Sequence, residues 1–213
     1  MKELRVERLI FGATFTGVSA ALNKDSLLIE RTALIGSEFV DCLNEKPAKE
    51  SGYKNEFTET LKRKNAVNEN GAVYLAAAMF ELCDIIKKKG LKIMMLTEVI
   101  EIKKNNGLFE VLLFNCDGYS TVFTQEIIDT TSVGILHNKI ESINCQKYLN
   151  AVVFIGKDKN YPVDCTVTTN EITKKDVLHF PLPLNCEMPE AKKRFFNFLK
   201  VKMPIDFKVI YVS

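Results

Sequence analysis

The sequence contains no tryptophan, only two histidines, and no C-x-x-C pair among its six cysteines. A structural zinc site needs Cys or His ligands at short, regular spacings, so this pattern predicts no metal site. No apolar run is long enough to cross a membrane, and the first eight residues, MKELRVER, lack the apolar core of a signal peptide. We therefore expect a cytoplasmic protein whose cysteines are reduced and mostly buried.

An excess of either charge is also missing. The chain has 29 basic and 27 acidic side chains, and its formal net charge is +2. Proteins that bind nucleic acids or anionic membranes usually concentrate basic charge, so we expect neither a nucleic acid nor a membrane as a partner. With 213 residues, of which 46% are hydrophobic, the chain can bury one good core and a smaller second unit.

The N-terminal segment has the pattern of a βαβ unit. RLIF (8–11) is a short apolar run, TGVSAALNK (16–24) has the small residues of a closely packed helix, and SLLIER (26–31) is a second apolar run. Strand, tight turn, helix and strand follow one another within about 30 residues, which is the length of such a unit.

Strand patterns dominate the middle of the chain. Residues 44–70 are polar and predict a surface excursion with one short helix, whereas 71–90 predicts a strong helix capped by Gly90. The strands that follow are predicted at 91–96, 98–104, 108–115, 119–125 and 126–132. Asn-Gly and Asp-Gly steps favour hairpins, so we interpret 98–125 as a three-stranded β-meander inserted before the return strand EIIDTTS.

The signals are weaker beyond residue 133. Three more strands are predicted at 151–156, 163–169 and 207–213, with a helix at 189–200. The predicted fold class is therefore α/β. Residues 1–133 form a Rossmann-like parallel sheet with an inserted three-stranded β-meander, and residues 134–213 form part of a second α+β domain for a substrate or partner.

The first turn carries part of a dinucleotide-binding fingerprint. In G-x-G-x-x-G the first glycine makes the tight turn, the second admits the pyrophosphate, and the third lets helix and strand pack closely. Gly12 and Gly17 occupy the first and third positions, and Thr14 replaces the second. Glu30 ends the second strand, where an acidic residue would bind the ribose. A purely structural strand–turn–helix would explain the two glycines almost as well.

Two segments together carry a resemblance to a known family. LIFGATFTGVSAAL and LLIERTALIGSE resemble the N-terminus of FAD-dependent oxidoreductases with the glutathione-reductase-type fold. The meander followed by EIIDTTS is similar to that family's path back to its hydrophobic-hydrophobic-D-A-T-G strand, with Ser132 in place of the glycine. The resemblance covers about residues 5–133.

The resemblance implies FAD as the cofactor and a set of cofactor-binding residues. These are Gly12, Thr14, Phe15, Thr16, Gly17, Glu30, Arg31, Gly36, Ser37, Thr130 and Thr131. In the family, the glycine turn surrounds the pyrophosphate and the glutamate binds the adenosine ribose. A small-residue turn runs near the flavin ring, and here Gly36 and Ser37 match it. Thr130 and Thr131 would lie near the adenylate half.

One part of the family pattern is missing. Near its C-terminal end the family has a strand with a G-D motif that holds the ribityl phosphate and ring of the flavin, and no such motif precedes Ser213. The chain is then a truncated or split protein, a subunit that borrows this wall from a second protein chain in a homo- or hetero-oligomer, or a degenerate relative. A separately encoded partner fits best with the otherwise well-formed core.

Two functions of different classes follow. The first is an FAD-binding oxidoreductase, or the FAD-binding subunit of a split one, acting on an unidentified small molecule or peptide. The second is a non-catalytic scaffold or accessory subunit that retains a degenerate fold and uses its incomplete face for assembly. An NAD(P) enzyme is a weaker third, because the inserted meander is typical of the flavin family.

No catalytic residue is predicted. Cys42 follows the turn that would run beside the flavin, but dithiol enzymes of this fold carry two cysteines there, so we interpret it as a bystander. His137 and His179 have no orienting partner in the sequence and are interpreted as structural. FFNFL (195–199) is interpreted as the core stripe of its helix.

Overall fold

The computed structural model describes residues 2–40, 43, 54–69, 71–131, 147–154, 161, 164–170, 175–183, 185–202 and 208–212. The strands in these ranges are β1 (Lys2–Phe11), β2 (Ser26–Ile29), β3 (Lys92–Met94), β4 (Glu98–Asn105), β5 (Leu108–Asn115), β6 (Gly118–Asp129), β7 (Lys147–Phe154), β8 (Thr166–Asn170), β9 (Lys175–Leu182) and β10 (Lys208–Val212). The helices are α1 (Phe15–Ala21), α2 (Ser37–Val40), α3 (Lys54–Arg63), α4 (Leu75–Lys89) and α5 (Met188–Lys202). None of these helices is long and apolar enough to span a bilayer.

The larger sheet has the strand order β3-β2-β1-β6-β5-β4. β1 pairs in parallel with β2 and β6, and β2 with β3, whereas β5 pairs antiparallel with both β4 and β6. The central strand ends in Leu9, Ile10 and Phe11, which are buried because both faces of the sheet are covered. The predicted α/β class, a mostly parallel sheet extended by a meander, is confirmed.

β6 corrects one detail of that prediction. The segments 119–125 and 126–132 were predicted as separate strands, but a single strand runs over Gly118–Asp129. Its first half pairs with both β5 and β1, and its last residues pair with β1 alone. Where β6 stops pairing with β5, the Thr124 hydroxyl lies 3.0 Å from the carbonyl oxygens of Glu7 and Glu126. The last strand of the meander is therefore also the return strand.

Helices α1, α3 and α4 cover one face of this sheet. Phe57 and Leu61 of α3 are fully buried, and the Phe57 ring lies 4.7 Å from that of Phe15. The prediction of a surface excursion is therefore wrong for α3, whose i, i+4 apolar pair faces the core. The predicted cap of α4 is confirmed, since Gly90 has φ +61° and donates its N–H to the Lys87 carbonyl.

The meander strands belong to this same sheet, and their side chains pack against the opposite face of β1 and β2. Val111 and Leu113 of β5 and Val122 of β6 lie in one buried cluster with the ends of β1 and β2. This packing holds the carboxyl ends of β1 and β2 between helices on one side and strands on the other. The turn after β1 is therefore built on a rigid support.

The smaller sheet is antiparallel, with the order β10-β7-β9-β8. α5 packs on it through Phe195 and Leu199, both buried, so the core interpretation of FFNFL holds for these two residues. Phe196 is 43% exposed and lies outside that core. β9 was not predicted.

Candidate functional site

The turn after β1 is built around Gly12. Gly12 has φ +93°, and its N–H donates to the Ile29 carbonyl over 2.8 Å. A Cβ at this position would lie 3.0 Å from Thr130 Oγ1 and 3.1 Å from the Thr131 backbone nitrogen. Both the backbone conformation and the close approach of the strand end therefore require glycine.

Gly17 lies where α1 comes closest to the turn. A Cβ there would stand 2.1 Å from the Gly12 carbonyl oxygen and 2.7 Å from Thr130 Oγ1. This is the close helix–strand approach for which the third fingerprint glycine is needed.

Thr14, which replaces the middle glycine, caps α1. Its Oγ1 accepts the Gly17 N–H over 3.1 Å and donates to Thr130 Oγ1 over 2.9 Å. Thr130 Oγ1 in turn lies 2.8 Å from the Phe11 carbonyl oxygen. The two threonine hydroxyls therefore join the end of β6 to the turn.

Glu30 is 5% exposed and has both carboxylate oxygens engaged. Oε2 accepts the Ala13 N–H over 2.9 Å, and Oε1 accepts both the N–H and the hydroxyl of Thr32, each over 2.9 Å. The carboxylate predicted to bind a ribose thus lies directly against the glycine turn.

Glu38 was missed by the sequence analysis. Its Oε1 accepts the N–H of Phe15, the first residue of α1, and its Oε2 is buried without a hydrogen-bond partner among the described residues. Burial raises the pKa of Glu38 to about 7; the negative charge of Glu30 adds to this, and the bond from Phe15 opposes it. The only sequence signal was an acidic residue two positions after Gly36.

The remaining predicted residues fall into two groups. Gly36 joins the site, because its N–H donates to the Ala13 carbonyl over 2.7 Å, and Ser37 begins α2 directly after it. Thr131 lies at the edge of a crevice beside Gly12.

Phe15, Thr16 and Arg31 are placed differently. The Phe15 side chain is in the core, Thr16 is exposed, and Arg31 extends over the surface to Glu98 at 3.5 Å. Of these three residues, Phe15 contributes to the turn through its backbone N–H and not through its side chain.

The crevice at this edge is small. Its volume is about 10 Å³, and Phe11, Gly12, Arg31 and Thr131 are among its lining residues. That is room for about one water molecule. A wider groove of about 650 Å³ lies elsewhere, lined by Lys2 and by residues of the β5–β6 hairpin.

His179 has the orienting partners that the sequence did not reveal. Its Nδ1 lies 2.7 Å from Asn150 Oδ1, and its Nε2 lies 3.1 Å from Thr168 Oγ1. An amide oxygen can only accept, so Nδ1 donates to Asn150, and in the neutral ring Nε2 then accepts from the threonine hydroxyl. The ring therefore joins three strands of the smaller sheet, in agreement with the interpretation of His179 as structural.

The cysteine prediction is only partly correct. Cys83, Cys116, Cys165 and Cys186 are thiols that form no disulfide, but Cys186 alone among these four is buried. Cys42, Ser132, His137 and the predicted domain boundary at residue 133 lie outside the described residues.

Comparison with known proteins gives matches in structure only. No family model matches the chain, and no curated protein does. A geranylgeranyl bacteriochlorophyll reductase-like protein from Thermoplasma acidophilum superposes with a TM-score of 0.64 at 16% identity, over 99% of this chain and 66% of that one. The p-nitrophenol 4-monooxygenase of Pseudomonas putida gives 0.57 at 12%, over 100% and 68%.

A third neighbour is CabE, an aromatic hydroxylase from angucycline biosynthesis, with a TM-score of 0.56 at 10% identity, over 98% of this chain and 51% of that one. The chain thus spans between about half and two thirds of the length of these structures. At such low identity the likeness shows the fold alone. The chain shares the Rossmann-like α/β fold of these structures.

Proposed function

We propose that this chain is the FAD-binding part of an oxidoreductase. The observation that supports this most directly is the Glu30 carboxylate, held 2.9 Å from the Ala13 N–H beside the Gly12–Gly17 turn. The fold places this pair at the carboxyl ends of parallel strands, where dinucleotides bind in Rossmann-like sheets. Bound FAD would supply two-electron redox chemistry on its isoalloxazine ring.

The residues of the chain would hold FAD as follows. Glu30 would bind the adenosine ribose, and the turn from Gly12 to Gly17 would surround the diphosphate. Gly36, Ser37 and Arg31 would run toward the ring side, as in the glutathione-reductase-type family, with Thr130 and Thr131 near the adenylate half.

The hydrogen-bond donors of the turn fit the diphosphate of FAD on one condition. Gly12 and Gly17 allow the close backbone approach that a diphosphate needs, and Glu30 is at the ribose position. The Phe15 N–H, however, is taken by Glu38. The turn therefore accepts a diphosphate only when the Glu38 side chain leaves this amide.

We further propose that a second protein chain, either another copy or a different subunit, completes the flavin site. Among the described residues, the crevice beside Gly12 has room for about one water molecule, so these residues do not enclose the cofactor at this turn. The substrate would be a small molecule or a peptide.

A non-catalytic scaffold is the second candidate, and one observation favours it. The N–H groups of Ala13, Phe15 and Gly17 all donate to oxygens of the chain's own side chains. A turn whose donors are satisfied internally can persist for packing alone.

Titration with FAD distinguishes the two candidates. We expect the full chain to quench FAD fluorescence with saturable binding that FMN does not reproduce, because FMN lacks the adenosine that Glu30 would hold. Glu30→Gln should weaken FAD binding, and the exposed Glu59→Gln should leave it unchanged. No binding to the chain, alone or co-expressed with its genomic neighbours, would favour the scaffold.

A further inference from the structure

We infer that Glu38 is an internal competitor for the diphosphate, so that its side chain sets the affinity of the turn for FAD. This inference rests on the proposed function and adds a residue outside the glycine fingerprint to it. In the structure, Glu38 Oε1 accepts the Phe15 N–H at the start of α1. Backbone N–H groups in this position are the ones that receive anions in βα turns.

The electrostatics at this position oppose a second anion. Glu30 and Glu38 both lie against the same turn, on the N–H groups of Ala13 and Phe15. A bound diphosphate adds negative charge to a partly buried site that already holds two carboxyl groups, and like charges repel strongly where water is excluded. Removing Glu38 relieves the repulsion and also releases a donor.

The backbone on either side of Glu38 is anchored. Gly36 donates its N–H to the Ala13 carbonyl, and Phe39 is fully buried with its ring centroid 6.2 Å from that of Phe57. The side chain can therefore leave Phe15 by rotating about its own bonds, while α2 stays in place. Since Glu38 Oε2 has no hydrogen-bond partner among the described residues, rotation breaks the bond between Oε1 and the Phe15 N–H.

The test compares FAD affinity across matched variants of the full chain. Glu38→Ala should bind FAD at least roughly tenfold more tightly than the natural sequence, the effect of one charge-assisted hydrogen bond. Glu38→Gln, which removes the charge but keeps an acceptor, should give a smaller increase. Glu59→Gln, on the exposed face of α3, should match the natural sequence.

Two further readouts make the outcome specific. Adenosine, which has no phosphate, should bind all variants equally, and the Phe15 amide signal in NMR spectra should shift in Glu38→Ala without any ligand. Equal FAD affinity in all variants would overturn the role of Glu38 and leave the proposed function standing. Absence of FAD binding in every variant would overturn the proposed function, and this inference with it.

Discussion

At the scale of single residues, Thr14 shows how replacing one glycine of the fingerprint changes the hydrogen bonds of the turn. A glycine in this position would leave the Gly17 N–H without a cap, whereas the threonine hydroxyl accepts it and also bonds to Thr130. The spacing of Gly12 and Gly17 identifies Thr14 as the residue that replaces the middle glycine. The bond to Thr130 spans 116 residues of sequence, so no local pattern could predict it.

Glu38 gives a prediction for stability as a function of pH. Its pKa is raised from 4.5 to about 7, mainly by burial, and Glu30 is the charged neighbour that contributes to the rise. Between these two values the folded state binds more protons than the unfolded state, so the free energy of unfolding falls as the pH rises through that window. Glu38→Gln should not show this fall.

Denaturant unfolding at several pH values measures the effect. The two proteins should have similar free energies of unfolding near pH 4.5, and the variant should be about 2 kcal/mol more stable above pH 7. Each pKa unit corresponds to about 1.4 kcal/mol, reduced here because water reaches part of the side chain. A difference in the free energy of unfolding between the two proteins that stays the same from pH 4.5 to above pH 7 would contradict the prediction. Glu59→Gln is the exposed control.

At the scale of secondary-structure elements, β6 is the strand of the larger sheet that the sequence described least well. The absence of a turn residue between Gln125 and Glu126 was a usable signal, since both hairpins before it contain glycine. The sequence analysis nevertheless divided this segment into two strands. β5, in contrast, was predicted with its observed bounds because Asn-Gly and Asp-Gly steps mark both ends.

Thr124 tests the point at which β6 stops pairing with β5. Thr124→Val removes a buried hydroxyl and leaves the carbonyl oxygens of Glu7 and Glu126 without it, so we expect a loss of about 1–3 kcal/mol in the free energy of unfolding. Urea denaturation measures the loss. The same substitution at the exposed Thr166 of β8 is the control, and equal effects at both positions would show that the hydroxyl of Thr124 is dispensable.

At the scale of the whole molecule, the described residues form two sheets with separate hydrophobic clusters. The cluster under α5 draws its members from residues 149–212 only. If the predicted division near residue 133 separates two cooperative units, damage to one core should leave the other intact.

Phe195→Ala tests this division. It removes a fully buried ring and should lower the free energy of unfolding of the smaller unit by about 3–5 kcal/mol. Amide hydrogen exchange should accelerate in β7 and β9 and stay unchanged in β1 and β2. Phe196→Ala, at a neighbouring exposed position, should alter neither. Equal acceleration in both sheets would mean that the chain unfolds as one unit.

The sequence predicted the parts of the site that depend on local spacing. Gly12, Gly17 and Glu30 belong to one βαβ unit, and their positions along it place them together. Glu38 could not be found in this way, because its contact depends on how the segment after β2 returns to α1. The partners of His179 could not be identified for the same reason, since Asn150 and Thr168 lie on two other strands.

The pairing of β1 with β6 also has a consequence for synthesis on the ribosome. β1 is made first, and paired positions such as Arg8 and Glu126 are 118 residues apart in the sequence. At 5–20 residues per second, β1 waits roughly 6–24 s before the neighbour on that side exists. During this interval its apolar end can pair only with β2 or with another nascent chain. We therefore expect the dinucleotide turn, which needs Thr130 from the end of β6, to be one of the last parts of this sheet to form.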